Sequence, residues 1–146
     1  MSDNPGFPID VQQIRHETSF VVLPKHCNYQ QPLIFGGALF SEMDLCAAVV
    51  AEKAVDHTPM VDNAVTHKVN DLVFKAPSFQ GDLITLFGEL DHFGQGTSLS
   101  IFVTAYRRAR GDFNSDEPTL VAEAEFIFVT RSGDQYVNHG LQPMPR

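Results

Sequence analysis

The stretch IFGGALFSEMDLCAAVVAEKAVD, residues 34–56, leaves few folds open. It begins with a glycine pair, Gly36-Gly37, after Ile34 and Phe35. It then runs through Ala38, Leu39, Phe40, Leu45, Cys46, Ala47, Ala48, Val49, Val50 and Ala51 almost without polarity. At about 100° per residue, helical spacing gathers Glu42, Glu52, Lys53 and Asp56 into one sector and predicts a narrow wet face. Asp44 falls elsewhere, about 200° from Glu42 and in the row of Phe40, Ala47, Ala48, Ala51 and Val55. A carboxylate on the dry side of a helix must be paired, hydrogen-bonded or protonated, which makes Asp44 the leading functional candidate. A helix apolar on nearly all sides also cannot lie on a flat sheet with its other flank in water. It needs a sheet curled around it.

The remaining elements supply that sheet. His16–Leu23 has the β-branched and aromatic content of a first strand, ended by Pro24. After the helix, Val65, His67 and Val69 alternate with Ala64, Thr66, Lys68 and Asn70, and the pattern slips at Asp71-Leu72-Val73, which predicts a bulge. Leu83–Leu90 is the next strand, Asp91–Gly96 a hairpin connection, and Leu99, Ile101, Val103 and Ala105 the inward set of the strand that follows. The last strand, Leu120–Val129, sets Leu120, Ala122, Ala124, Phe126 and Phe128 inward against Glu123 and Glu125. The expected architecture is α+β: an antiparallel sheet of about five strands wrapped around a long central helix. One domain covers residues 1–146, with a core over about 16–131, an irregular lead-in over 1–14 and a loose tail over 139–146. Open sheet edges predict pairing with a second copy.

Charge and composition remove whole classes of function. A net charge of −8 with only ten Lys and Arg argues against nucleic acid, which requires a basic stripe. Cys27 and Cys46 form neither a CxxC pair nor a disulfide framework and read as reduced thiols of a cytoplasmic protein. The beginning of the chain, MSDNPGFPID, lacks the basic and apolar regions of a secretion signal, and the helix is too short and too alanine-rich to span a bilayer and carries Asp44 and Glu42. The six histidines are scattered without HxxxH or similar spacing, so no metal is implied.

Several phrases then occur in one order: Pro24-x-x-x-Asn28, Ile34-Phe35-Gly36-Gly37 with Met43-Asp44, Val65-Thr66, Leu72-Val73-Phe74 with Pro77 and Gly81-Asp82, Gly96-Thr97-Ser98, and Phe126-Ile127-Phe128-Val129. Over about Leu23 to Thr130 the chain resembles the hotdog-fold acyl-CoA thioesterases, specifically the small hydrolases of the bacterial YciA and cytosolic acyl-CoA hydrolase type. The resemblance implies that Asp44 is the catalytic carboxylate and Asn28 its partner, contributed by different subunits of a homodimer, with dimers commonly assembled in threes. It implies that coenzyme A, which enters as part of the substrate, lies against His67, Lys68 and Val69 and against Thr97, Ser98 and Leu99. No separate cofactor is expected. In one respect the chain departs from the family: Asn28 is followed by Tyr-Gln-Gln-Pro-Leu-Ile, one residue longer than usual and without glycine.

The chemistry of these residues suits thioester hydrolysis. Backbone N–H groups of Gly36 and Gly37, at the positive end of a helix, can receive the negative charge that develops on a thioester oxygen. Asp44 can take a proton from water, with Asn28 orienting that water, or can attack as a nucleophile; the first is the favoured reading. A thiolate leaves without a strong general acid. Arg107, with Arg108 and Arg110, forms a basic cluster suited to phosphates. Two rival functions are a hydratase or dehydratase on the same fold, which would use a histidine absent from this helix, and a non-catalytic acyl-CoA sensor.

Overall fold

The computed structural model describes residues 6–93 and 96–144. Helix α1 spans Gly36–Val55 and buries Leu39, Met43, Cys46, Ala47, Val50, Ala51, Ala54 and Val55. The strands are β1 (Phe7–Ile9), β2 (Arg15–Val21), β3 (Asn63–Phe74), β4 (Leu83–Phe93), β5 (Ser98–Arg108), β6 (Thr119–Ser132), β7 (Gln135–Tyr136) and β8 (Leu141–Pro143). The main sheet runs β2-β4-β5-β6-β3, antiparallel throughout, with the short β7 hydrogen-bonded to the end of β6. Helix α1 packs against β2, β3, β4, β5 and β6. This is the expected hotdog arrangement.

The alanines and one glycine set how closely helix and sheet approach. A Cβ placed on Gly88, in the middle of β4, would stand 3.0 Å from both Cys46 Sγ and Val50 Cγ2. The sheet is therefore in contact with α1 there, where even a methyl group would have to displace its neighbours. Leu99, Ile101, Val103 and Ala105 of β5 and Ala122, Ala124 and Phe126 of β6 are fully buried, as their alternation predicts. At the far end of the helix, Lys53 Nζ donates to Arg15 O at 2.8 Å and ties the last turn to the start of β2.

Three expectations need correction. Among the described residues the lead-in and tail are not irregular and loose, for β1 and β8 pair in parallel, Phe7 opposite Leu141. Ile9, His139 and Leu141 are buried there, so two short terminal segments close a flap over one end of the core. In addition, β3 carries two register shifts: the predicted one between Asn70 and Val73, where Asp71 has φ +55°, and a second between Thr66 and Lys68. The second makes His67 an inserted residue and reverses the alternation beyond it. Consequently Thr66 reaches the helix while Asn70 hydrogen-bonds to Glu125 of β6, so the two do not share the face assigned to them. The Asp91–Gly96 connection includes Gly94 and Gln95, which lie outside the described residues.

Candidate active site

The glycine pair starts α1 as the spacing requires, but Phe35 at the N-cap provides no side-chain acceptor. The first N–H groups of a helix have no partner within it. Ala38 N and Leu39 N turn back to Phe35 O, at 2.9 and 3.2 Å, and no acceptor among the described residues meets Gly36 N or Gly37 N. A Cβ on Gly37 would lie 2.7 Å from the Phe35 ring, so that side of the turn accepts only backbone.

A cleft of about 380 Å³ opens beside this turn, lined by Asn28, Leu33, Ile34, Gly36, Leu39, Phe74, Lys75, Ala76, Pro77 and Ser78. Its walls are pinned by backbone bonds. Asn28 N donates to Leu33 O (2.9 Å), Ile34 N to Ser78 O (2.9 Å), Phe35 N to His26 O (2.7 Å) and Gln80 N to Pro32 O (2.8 Å). The turn after Ser78 is closed by Asp82, whose carboxylate accepts from Phe79 N at 2.8 Å, and by Gly81 at φ +94°. The Gly81-Asp82 phrase is thus turn chemistry. Asn28 is exposed at the cleft wall despite its longer loop, so cleft and helix start share a site with it.

Asp44 lies two turns further along α1. It is half-buried rather than sealed among alanines, because it faces the β3 side of the helix, where the sheet ends. Its Oδ1 accepts a hydrogen bond from Thr66 Oγ1 at 2.7 Å. This bond aims the carboxylate, and Thr66 is the residue that sequence reasoning passed over. The signal was the Val65-Thr66 phrase, but assigning Thr66 to the same face as Lys68 and Asn70 concealed its contact with α1. Asp44 does not line the Asn28 cleft, so within one chain the carboxylate and the helix start remain apart.

The two segments expected to hold coenzyme A do come into register. Val129 of β6 pairs with Val65 on one side and Ser98 on the other, so β3 and β5 present them about 10 Å apart, two strand spacings. His67 and Lys68 are exposed and Val69 half-buried. Thr97 and Ser98 are half-buried, and Thr97 O accepts from Thr130 N at 2.7 Å. Leu99 is fully buried, so its side chain belongs to the core. Arg107 lies at the opposite end of β5, away from this group; its guanidinium donates to Pro77 O and covers the Phe79 ring at 5.7 Å. Arg108 is similarly occupied, donating to Ser115 O at 2.8 Å. Arg107 and Arg108 thus brace two loops.

Two further groups were not legible in the sequence. A register shift between Leu90 and His92 brings Asp91 and His92 to Glu125, and their donor atoms lie within 4.8 Å of one another, close enough to hold a metal ion. Glu125 already accepts from Ser100 at 2.5 Å and Asn70 at 2.9 Å, and these two bonds hold its carboxyl below its ordinary pKa. Cys46 is sealed against the sheet, and burial pushes its thiol up to about 11, with nearby Lys53 pulling the other way. That thiol is not a nucleophile at neutral pH.

No family model matches the chain, and no curated protein does. Solved structures do. An apo hexameric acyl-CoA thioesterase superimposes with a TM-score of 0.80 at 25% identity, over 95% of this chain and 83% of that one. An asparagine-to-alanine mutant of an acyl-CoA hydrolase from Staphylococcus aureus, in complex with coenzyme A, gives 0.79 at 20% identity, over 97% and 80%. An acyl-CoA hydrolase from Bacillus cereus gives 0.75 at 23%, over 94% and 79%. The S. aureus enzyme also appears as an aspartate-to-alanine and a threonine-to-alanine mutant. These structural neighbours are acyl-CoA hydrolases and thioesterases, the group that the sequence motifs resemble. Among the described residues, no helix is long and apolar enough to cross a membrane.

Proposed function

We propose that this protein hydrolyses acyl-CoA thioesters to the free acid and coenzyme A at a site completed by two copies of the chain. The observation that carries the reading is the pairing of Asp44, aimed by Thr66, with an uncapped helix start that faces a cleft beside Asn28. The thioester oxygen lies at Gly36 N and Gly37 N, where the helix terminus favours negative charge. Asp44 of one chain takes a proton from water positioned by Asn28 of the other, and the hydroxide oxygen bonds to the thioester carbon. The tetrahedral intermediate then collapses, its C–S bond breaks, and the thiolate of coenzyme A departs. Coenzyme A extends past His67, Lys68 and Val69 and the Thr97-Ser98 turn.

The open edge of β3 and the exposed Phe35 (57%), Val73 (44%) and Phe74 (49%) form the apolar surface that a second copy covers. The S. aureus structures include alanine mutants at one aspartate, one asparagine and one threonine, the residue types found here at Asp44, Asn28 and Thr66. A trimer of such dimers agrees with the hexameric thioesterase among the structural neighbours.

The test is thiol release from short- to long-chain acyl-CoAs by wild type, Asp44→Ala, Asn28→Ala and an unfolded-and-refolded mixture of the two variants. Each variant alone should be inactive yet folded and oligomeric. The equimolar mixture should recover about a quarter of wild-type activity, since half the dimers are mixed and each mixed dimer holds one intact site. Recovery of nothing would place the site within one chain. Full activity in Asp44→Ala would place the chemistry elsewhere, and tight acyl-CoA binding without turnover by wild type would identify a sensor.

A further inference from the structure

Coenzyme A carries phosphates, yet two of the arginines that the sequence offers for them are occupied: Arg107 and Arg108 donate to Pro77 O and Ser115 O. Lys68 lies in the field of Glu125, whose carboxylate it helps to keep ionised. Arg131 is different. Its guanidinium lies over the Tyr136 ring, 5.9 Å from the centroid, and no carboxylate among the described residues forms an ion pair with it. Asp62, whose N donates to Arg131 O, spends its carboxylate on Ser132 Oγ (3.3 Å) and Gly133 N (3.0 Å), and so pins the β6–β7 hairpin. Arg131 Nε is sealed, but the residue as a whole is only half-buried, so a ligand would meet the terminal nitrogens of the guanidinium. Tyr136 is 63% exposed. A cation beside an open aromatic ring, in a chain of net charge −8, is a platform for an anion that carries a planar group.

Strand register places this pair. Val65 and Ser98 flank Val129, and Asn63 and Tyr136 flank Arg131. No shift intervenes, so Val129 and Arg131 share a face, the one opposite buried Phe128 and Thr130. Arg131 therefore stands about 7 Å along β6 from the row of Val65 and Ser98. Strand β3 begins at Asn63, three residues or about 10 Å from Thr66, so an extended arm can pass from Asp44 around the end of that strand to Arg131. Resting on the hydrolase reading, we propose that Arg131 and Tyr136 hold the nucleotide end of coenzyme A, a phosphate on the guanidinium and the adenine on the tyrosine ring. They are then specificity-determining residues, selecting thioesters of coenzyme A over those of carriers that present the pantetheine arm without adenosine. A guanidinium fits phosphate through two parallel N–H bonds, and a tyrosine ring stacks with a base. Both residues bind far from the bond that breaks, so their effect belongs in KM rather than in kcat.

The test takes the acyl group that wild type releases fastest and presents it on coenzyme A and on pantetheine. Separate kcat and KM values are measured for wild type, Arg131→Gln and Tyr136→Leu, beside equilibrium binding of free coenzyme A. Wild type should have a KM at least about tenfold lower for the coenzyme A thioester, the worth of one charge-assisted pair. Arg131→Gln should raise that KM by about tenfold or more, with kcat and the pantetheine kinetics unchanged. Tyr136→Leu should raise it by about fivefold or more in the same pattern; its side chain is exposed, so this variant decides alone if Arg131→Gln does not fold. A wild type without preference would overturn the proposal. So would a folded variant that keeps the wild-type KM for the coenzyme A thioester, or one that loses both thioesters to the same extent. Failure of the hydrolase reading looks different: no thiol is released from either substrate, and the loss of coenzyme A binding in the two variants then decides their role. Absence of coenzyme A binding by wild type overturns both.

Discussion

Replacing Thr66 by valine preserves the shape and β-branching of the residue and deletes one atom's function, the donor to Asp44. The bond is 2.7 Å long and joins a hydroxyl to a carboxylate. Such charge-assisted bonds contribute about 1.5–3 kcal/mol. Thr66 is exposed and Asp44 half-buried, so water replaces part of the loss and the lower figure applies. If that bond holds the carboxylate toward the attacking water, about 1.5 kcal/mol appears in the barrier, roughly a tenfold fall in kcat. The effect should be smaller than that of Asp44→Asn, which would remove the proposed base and with it about 10²–10⁴-fold. KM should barely change, because Thr66 acts through Asp44 rather than on the substrate. Thr66→Ser retains the hydroxyl and should recover most of the rate. Thiol release under saturating acyl-CoA measures all four proteins. The positioning role is refuted if Thr66→Val retains wild-type kcat, or if Thr66→Ser falls as far as valine does.

Three other expectations follow from burial. Cys46 should resist thiol reagents at pH 8 in the folded protein while half-buried Cys27 reacts first. Because its folded pKa of about 11 exceeds the ordinary 9.0, the thiol contributes stability below pH 9 that is lost as pH rises toward 11. The melting temperature should fall across that interval and fall less in Cys46→Ala. Leu141→Ala should cost about 2–4 kcal/mol in urea unfolding, since Leu141 of β8 is 3% exposed; a loss under 0.5 kcal/mol would mean that the terminal flap does not hold.

Helix α1 and the inward faces of β5 and β6 were legible because burial imposes a period, 3.6 or 2, on residue type. What escaped was whatever breaks the period. The insertion at His67 leaves no mark in composition, yet it turns Thr66 inward and Asn70 outward. The shift beside His92 similarly gathers Asp91, His92 and Glu125 from sequence positions with no spacing signal. The terminal flap escaped for another reason. Three-residue strands such as β1 and β8 carry no periodicity, and only long-range pairing shows that they are ordered. The placement of Asp44 carried one overstatement: its row is apolar, but that row runs out to the margin of the sheet, so the carboxylate is hydrogen-bonded rather than sealed.

The geometry of α1 supports the proposed two-chain site. Gly36 and Asp44 are eight residues apart, about 12 Å along the axis. A general base must come within about 3 Å of the water it deprotonates, or reach it through one more water. Asp44 therefore cannot serve a thioester held at its own helix start. Two antiparallel copies of α1, related by a two-fold axis near Phe40, would remove the mismatch, because residue 40 lies midway between 36 and 44. Each Asp44 would then stand beside the other chain's Gly36, and the symmetry would create two sites at once. Leu45 fits this arrangement: it is 61% exposed on a helix whose other large apolar residues are mostly covered, one residue beyond Asp44. A charge at Leu45, introduced as Leu45→Glu, would separate the copies while leaving each core untouched. Thiol release and dimerisation should then be lost together, and activity retained by a monomeric Leu45→Glu protein would exclude the two-chain site.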